Sequence, residues 1–263
     1  MKKDLQKRFS YSALGPFRQS FMHGMPILAY HKLGPLPSGA KMKSLYIGEK
    51  LFAWQMRELY RAGFGTKSLD VWHKNSRPDH RRVILTFDDG SRTVLQHALP
   101  VLAQYRITTV QFLVANAIGG TNHWDVGSRG EVPDPLMDVS QVRDWLSAGQ
   151  EIGSHTLNHV NLTAVPKSQA KEEISASKKK LEDLFGVAIR HFCYPYGKWS
   201  CGMRDLVEGA GYTTAVTLDF GVNTETRDPF ALRRIGAKHP SRNIRNLVAL
   251  LPAGFPLKFF WQR

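Results

Sequence analysis

Thr86-Phe87-Asp88-Asp89-Gly90 places two adjacent carboxylates at the end of the apolar, β-branched run Val83-Ile84-Leu85-Thr86-Phe87, with a glycine directly after. Neighbouring side chains on a strand point to opposite faces. Both acids can therefore serve one pocket only where the chain leaves the strand, and Gly90 permits that bend. Two unlike tasks become available: one carboxylate can bind a metal while the other moves protons. His155 and His159, in Gly153-Ser154-His155-Thr156-Leu157-Asn158-His159, form a second constellation. Their i, i+4 spacing brings both imidazoles to one side of a helical turn. Taken alone, such a pair is more often two polar residues on a loop. Imidazole is a good zinc ligand, however, and a carboxylate can supply a third. Asp89 with His155 and His159 makes a three-ligand set with positions left open, the pattern of a catalytic rather than a structural metal.

Tyr194-Pro195-Tyr196-Gly197 ends another apolar run. Pro195 and Gly197 fix a sharp turn there, and a backbone N–H at such a turn can face a developing oxyanion. By itself the motif is most often only a turn. Ala29-Tyr30-His31 ends the first apolar run. A lone histidine there is more often a hydrogen-bonded structural residue than a catalyst.

The elements that must position these groups alternate. Candidate strands are Pro26–His31, Arg82–Phe87, Thr108–Val114, Glu151–His155, Arg190–Tyr194, Thr213–Leu218 and Ala231–Ile235. Candidate helices lie near 50–63, 92–105, 138–149, 167–185, 200–210 and 241–251. The helix after Pro166 presents Ile174, Leu181, Leu184 and Phe185 at helical spacing and ends at Gly186, a good residue past a helix end. Strands alternating with helices predict a parallel sheet covered on both faces. About seven such units suit a closed or nearly closed barrel, whose active site sits at the C-terminal strand ends. The motifs fall at those ends. In a barrel the first strand has neighbours on both sides, so His31 shares a rim with Asp88. Two long loops, Ile118 to Asp134 and Pro35 to Lys43, would shape a groove there.

The chain has 263 residues, a length that suits one α/β barrel or two small domains. Hydrophobic residues make up 42%, which excludes a disordered chain. The formal charge is +14, concentrated at the two ends, and favours anionic partners. No nucleic-acid motif accompanies it, so no nucleic acid is expected. Two cysteines, Cys193 and Cys201, make no disulfide framework. No apolar stretch follows the N-terminal lysines as in a signal peptide, and none approaches the ~18–20 residues of a membrane span. The expected location is cytoplasmic, or peripheral to the inner membrane. Phe255, Leu257, Phe259, Phe260 and Trp261 lie among Lys258 and Arg263, a composition suited to contact with an anionic membrane. A tail packed on the barrel fits the same residues.

The motifs together resemble those of the polysaccharide deacetylases, the NodB-homology or carbohydrate esterase family 4 enzymes. The resemblance runs from about Pro26 to Lys238 and takes in Phe52 to Phe64, Asn122-His123-Trp124-Asp125 and Gly149-Gln150-Glu151-Ile152-Gly153. It implies a distorted (β/α)7 barrel over 26–240, with a basic extension over 1–25 and a helix and apolar-basic tail over 241–263. It implies that Asp89, His155 and His159 hold a divalent metal, zinc being usual, with cobalt, nickel, iron or manganese as substitutes. Asp88 becomes the general base, and Tyr196 offers its backbone N–H to the oxyanion. The substrate implied is an N-acetylated amino-sugar polymer or glycan. Trp124, Asp125, Pro195, Trp199 and Arg234 are the candidates for contact with it.

Two departures stand out. Where many members carry an arginine that steadies the base, this chain has Cys193, and Arg190 and Arg234 are the candidates to take over that role. The Leu-x-His motif that supplies the acid in many members has only a poor copy at His239. Tyr30-His31 instead resembles the subgroup that includes the poly-N-acetylglucosamine deacetylases, which makes His31 the acid. Two competing readings remain: a hydrolase of a small cyclic amide or ureide on the same fold, and a non-catalytic membrane- or glycan-binding protein. The four intact residues Asp88, Asp89, His155 and His159 argue against the second.

Overall fold

The computed structural model describes residues 24–72, 82–224 and 226–237. The basic extension before residue 24, the helix expected at 241–251, His239 and the aromatic tail lie outside the described residues. Seven parallel strands close on themselves: β1 (Ile27–Tyr30), β5 (Arg82–Phe87), β6 (Val110–Leu113), β7 (Glu151–Ser154), β8 (His191–Cys193), β9 (Thr214–Phe220) and β10 (Leu232–Gly236). Each pairs with the next, and β1 pairs with both β10 and β5, which shuts the ring. Three two-residue strands are additional: β2 (Lys32–Leu33), β3 (Tyr46–Ile47) and β4 (Gly65–Thr66). The fold is the expected distorted (β/α)7 barrel.

The apolar runs are continuous because both faces of the sheet are covered. Alternate residues divide between two cores. Ile27, Ile84, Val110, Phe112, Cys193, Val216 and Leu232 pack together within the ring. Leu28, Val83, Leu85 and Phe87 face outward and meet the helices. There α1 (Glu49–Arg61) contributes Phe52 and Met56, and α2 (Arg92–Tyr105) contributes Val94, Ala98 and Leu102. Between β6 and β7 come α3 (His123–Arg129) and α4 (Val139–Ser147), whose Trp145 meets Phe87 edge-on. Asp138 and Gln141 form a capping box that starts α4. The long α5 (Lys167–Phe185) begins after Pro166 and stops at Gly186, as its punctuation predicts. The last helix described is α6 (Cys201–Gly209). The loop expected over 118–134 instead contains α3.

This alternation aims the chemistry. In β5, residues 84 and 86 point into the ring, so Asp88 continues on the inward side. Arg234 shares the face of Leu232 for the same reason. Tyr30 pairs with Phe87, and Asp88 N–H donates to the Tyr30 carbonyl at 3.0 Å, which sets His31 beside Asp88. Among the described residues no helix is long and apolar enough to cross a membrane.

Candidate active site

Asp88, Asp89, His31, His155, His159, Tyr196 and Arg234 all meet at the C-terminal end of the barrel. The backbone takes left-handed conformations there. Asp89 has φ 72°, Thr156 69°, His159 59° and Tyr196 58°, and Gly90 follows Asp89 at 85°. Among the described residues only one other non-glycine, the helix-end Arg106, has positive φ. Such residues cost about 1–3 kcal/mol each and persist where the surroundings hold them. At Asp89 the turn brings the second carboxylate round to the pocket that Asp88 already faces.

Asp89 Oδ1 lies 3.6 Å from His155 Nε2 and 3.4 Å from His159 Nε2, and all three residues are buried. The ring orientation of His155 is fixed from behind, where Nδ1 lies 2.7 Å from the Cys193 carbonyl oxygen. A carbonyl can only accept, so Nδ1 carries the hydrogen and Nε2 turns a lone pair toward Asp89. Burial, reinforced by His159, pushes this imidazole down to about 4 and keeps it neutral. His159 is held by packing instead. Trp124 stacks on it at 4.5 Å, while His155 and Tyr196 meet it edge-on at 4.7 Å each. Its Nδ1 has no hydrogen-bond partner among the described residues. Burial alone would raise the Asp89 carboxyl; the hydrogen bond and charge of His159, then the charge of His31, hold it well below the carboxylate range.

This set fits a divalent cation. One carboxylate oxygen and two imidazole nitrogens face one another within 4.8 Å. Ligands ~2.0–2.1 Å from a tetrahedral ion stand ~3.3–3.4 Å apart, close to the separations seen.

Asp88 is gripped separately. Arg234 donates from Nη1 to Oδ1 and from Nη2 to Oδ2, each at 2.7 Å. The other Arg234 donors reach the Thr217 carbonyl at 2.8 Å, Thr86 Oγ1 at 3.0 Å and Cys193 Sγ at 3.2 Å. All five N–H groups of the guanidinium are thus engaged inside the protein. Arg234 therefore does not face substrate, which corrects its expected place: the side chain is 1% exposed and closes on Asp88. Arg190 is excluded from this position because it pairs with Asp70 at 2.9 Å instead. His31 Nε2 approaches Asp88 Oδ2 at 3.5 Å from the solvent side, where its ring is 20% exposed. Burial would raise the Asp88 carboxyl, but the Arg234 charge, then that of His31, hold it below the usual value.

The remaining candidates are placed as follows. Trp124 is buried against His159, so it forms a wall of the Asp89-His155-His159 cluster and not an open shelf. Asp125 is also buried, 3.6 Å from Arg129, and burial together with the Asp89 charge raises its carboxyl. Pro195 is buried in the turn that carries Tyr196. Trp199 stands at the edge, with Nε1 donating to Asp219 at 3.1 Å.

Sequence reasoning missed Glu173. From α5 it accepts the N–H of Leu157 at 3.0 Å, that of Asn158 at 2.9 Å and the Asn158 amide at 2.7 Å, pinning the loop that carries both histidines. Its signal was a carboxylate beside Ile174 on the buried stripe of α5. Arg129, lying 5.0 Å over the Tyr196 ring, was also missed, because α3 was read as loop.

The polysaccharide deacetylase family model matches residues 75–215. The chain belongs to the polysaccharide deacetylase family. Membership makes it a hydrolase of non-peptide amide bonds, a carbohydrate N-deacetylase by class, against the non-catalytic reading. YxkH of Bacillus subtilis (strain 168), named for polysaccharide deacetylase, is 27% identical over 215 residues, covering 80% of this chain and 70% of that protein. The poly-beta-1,6-N-acetyl-D-glucosamine N-deacetylase of Staphylococcus aureus (strain MRSA252) is 24% identical over 211 residues, covering 75% of this chain and 70% of that protein. In fold, the chain is similar to the Streptococcus pyogenes deacetylase PplD, with a TM-score of 0.71 at 21% identity, over 87% of this chain and 98% of that one. IcaB from Ammonifex degensii gives a TM-score of 0.70 at 22% identity, over 86% and 96%.

Proposed function

We propose that the chain removes N-acetyl groups from an amino-sugar polymer or glycan in a metal-dependent reaction. One observation carries this reading: a carboxylate held by Arg234 and facing His31 stands one residue from a carboxylate that converges with two histidines. Asp89, His155 and His159 would hold the cation, zinc first among the candidates. A divalent cation bound there would polarise an amide carbonyl and acidify water. Asp88, ionised, accepts a proton from the water that adds to the carbonyl carbon. Arg234 occupies both Asp88 oxygens from within, so the carboxylate keeps one orientation while its outer side faces the reactants. The Tyr196 N–H donates to the oxygen on which negative charge develops, a contribution of about 3–4 kcal/mol where such donors have been removed. His31, protonated at Nε2, gives that proton to the departing nitrogen as the C–N bond breaks. Acetate and a free amine result.

The likeness to a relative named for poly-beta-1,6-N-acetyl-D-glucosamine makes that polymer the first to try. Zinc-loaded protein should release acetate from it, or from chito-oligosaccharides, peptidoglycan fragments or acetylated glycolipids. Asp88→Asn and His31→Ala should each lower kcat by about 10²–10⁴-fold and retain the metal. Acetate from none of these glycans refutes the reading. Full activity in His31→Ala removes the acid role from His31.

A further inference from the structure

Lys32, directly after His31, is a lysine with no exposed surface. A buried ammonium needs a partner, because desolvation alone would discharge it. Its Nζ faces Asp134 Oδ2 at 3.6 Å and the Tyr46 hydroxyl at 3.4 Å. Asp134 is buried as well. Burial would lower the ammonium, but the Asp134 charge, the largest opposing influence, holds it above the usual lysine value. The reaction uses none of these groups directly. They belong instead to a closed circuit of bonds. The Leu33 N–H donates to Thr93 Oγ1 at 3.2 Å, and Thr93 Oγ1 stands 2.8 Å from Ser91 Oγ. The Ser91 hydroxyl bonds to the Asp134 carboxylate. The directions follow from the two ends. An N–H can only donate and an ionised carboxylate can only accept, so Thr93 passes its hydrogen to Ser91 and Ser91 passes its own to Asp134. The Lys32 ammonium closes the circuit on the same carboxylate.

This circuit joins the two segments that carry the chemistry. Lys32 and Leu33 follow His31, and Ser91 follows Asp89 and Gly90. The turn at Asp89, with φ 72°, is a conformation that persists only where the surroundings hold it. The chain just after Asp134 supplies that hold along the backbone. Arg92 N–H donates to the Pro135 carbonyl at 2.9 Å, and Met137 N–H donates to the Gly90 carbonyl at 2.8 Å. Asp134 is the root of this strap. Its N–H donates to Asn122 Oδ1 at 2.7 Å and its carbonyl accepts the Asn122 N–H at 3.3 Å, two residues before the Trp124 that stacks on His159. We propose that Lys32 is a positioning residue: by fixing Asp134, and through it Ser91 and the strap, it holds the Asp89 turn where that carboxylate converges with His155 and His159. The inference rests on the reading of those three residues as a cation site and adds a determinant of its affinity.

Two measurements on the full chain test it without turnover: zinc affinity, by competition with a chelating dye, and the melting temperature of the metal-free protein. Lys32→Met leaves Asp134 buried without its counter-charge and should lower both. Zinc affinity should fall about tenfold, the lower end of the ~10–100-fold range for groups that orient ligands. Lys32→Met combined with Asp134→Leu removes both charges. Apolar replacement of a buried pair is often neutral or stabilising, so the melting temperature should return toward wild type. Zinc should stay about tenfold weaker, because Ser91 has lost its acceptor. Should Lys32→Met fail to fold, the double variant alone decides. Lys179→Met, in an exposed pair with Asp183, is the control and should match wild type in both measurements. Zinc affinity that recovers together with the melting temperature in the double variant makes the pair merely structural and overturns the inference, as does wild-type affinity in Lys32→Met. A wild-type protein that takes up no zinc overturns the cation reading itself, and the inference with it.

Discussion

Replacing Arg234 by methionine leaves Asp88 buried with its main partner gone. Both groups are at most 2% exposed, and two charge-assisted bonds of 2.7 Å are lost together. Breaking a buried pair by removing one partner costs about 3–5 kcal/mol. In a domain of this size that lowers Tm by about 6–20 °C. The deficit has a pH signature. Asp88 is depressed in the folded state, so its stabilisation is present above the unfolded carboxyl value of ~3.9 and disappears as pH falls through the lower folded value. The gap between Arg234→Met and wild type should therefore be widest near neutral pH and narrow in acid. Activity should follow the same group. Burial raises Asp88 and Arg234 is the largest influence opposing it, so the acid limb of the rate profile should move to higher pH. Thermal melts and acetate release, each measured across pH, provide the comparison. Arg234→Lys should recover little, because an ammonium cannot supply two parallel bonds. Arg190→Ala, which breaks an exposed pair with Asp70, should cost less than about 1 kcal/mol. An Arg234→Met protein with wild-type Tm and an unmoved acid limb would refute the idea that Arg234 steadies the base.

Asp89→Asn should lose zinc on dialysis, whereas Asp88→Asn should keep it; metal analysis of the two proteins separates ligand from base, and equal retention would reassign both. Glu173→Ala frees the loop between the histidines and should weaken zinc about 10–100-fold, the scale for groups that orient ligands; unchanged affinity would reduce Glu173 to a packing residue. His191 lies far from this chemistry, at the start of β8. Burial pushes it down to about 4, against the attraction of Asp70, with Arg190 and Lys178 adding to the depression. The unfolded chain takes up its proton near ~6.5, so between there and about 4 stability should fall as pH falls, by up to about 3 kcal/mol. Glu151, raised by burial 3.8 Å away, shifts stability the other way at the acid end of that window. Urea unfolding of His191→Gln at pH 5.5 and 7.5 should show a smaller pH difference than wild type; an identical difference would exclude this residue as the cause.

Much of the architecture was legible because the barrel strands are apolar on both faces and the helices carry clear punctuation. The seven strands, and helices 92–105 and 167–185, stand where those signals put them. Strands β2, β3 and β4 are two residues long and have no periodicity to read. Helix α3 spans only seven residues, contains Gly127 and follows two other glycines, so its local signals are those of a turn. The convergence of Asp89, His155 and His159 could be anticipated because each ends a strand or begins the loop after one. The partner of Asp88 could not be chosen by local pattern alone, since Arg190 and Arg234 both flank strands. Register separates them: in Leu232-Arg233-Arg234-Ile235, Arg234 shares the inward face of Leu232, while Arg190 precedes β8 and meets Asp70. A charge on the inward face of a closed barrel implies a buried opposite charge, and Asp88 is the one in reach.

The seam at β1 has a consequence for how the enzyme comes into being. His31 precedes Asp88, and Arg234 follows it by 146 positions, so all three are together only once β10 has paired with β1. Contacts so distant along the chain carry a loop-closure cost that slows folding. A growing polypeptide can pair β1 with β5 and set His31 beside Asp88 while the carboxylate still lacks the guanidinium that β10 carries. If Asp88 needs Arg234 to act, acetate release during refolding should appear together with the pairing of β10 and the closing of the ring.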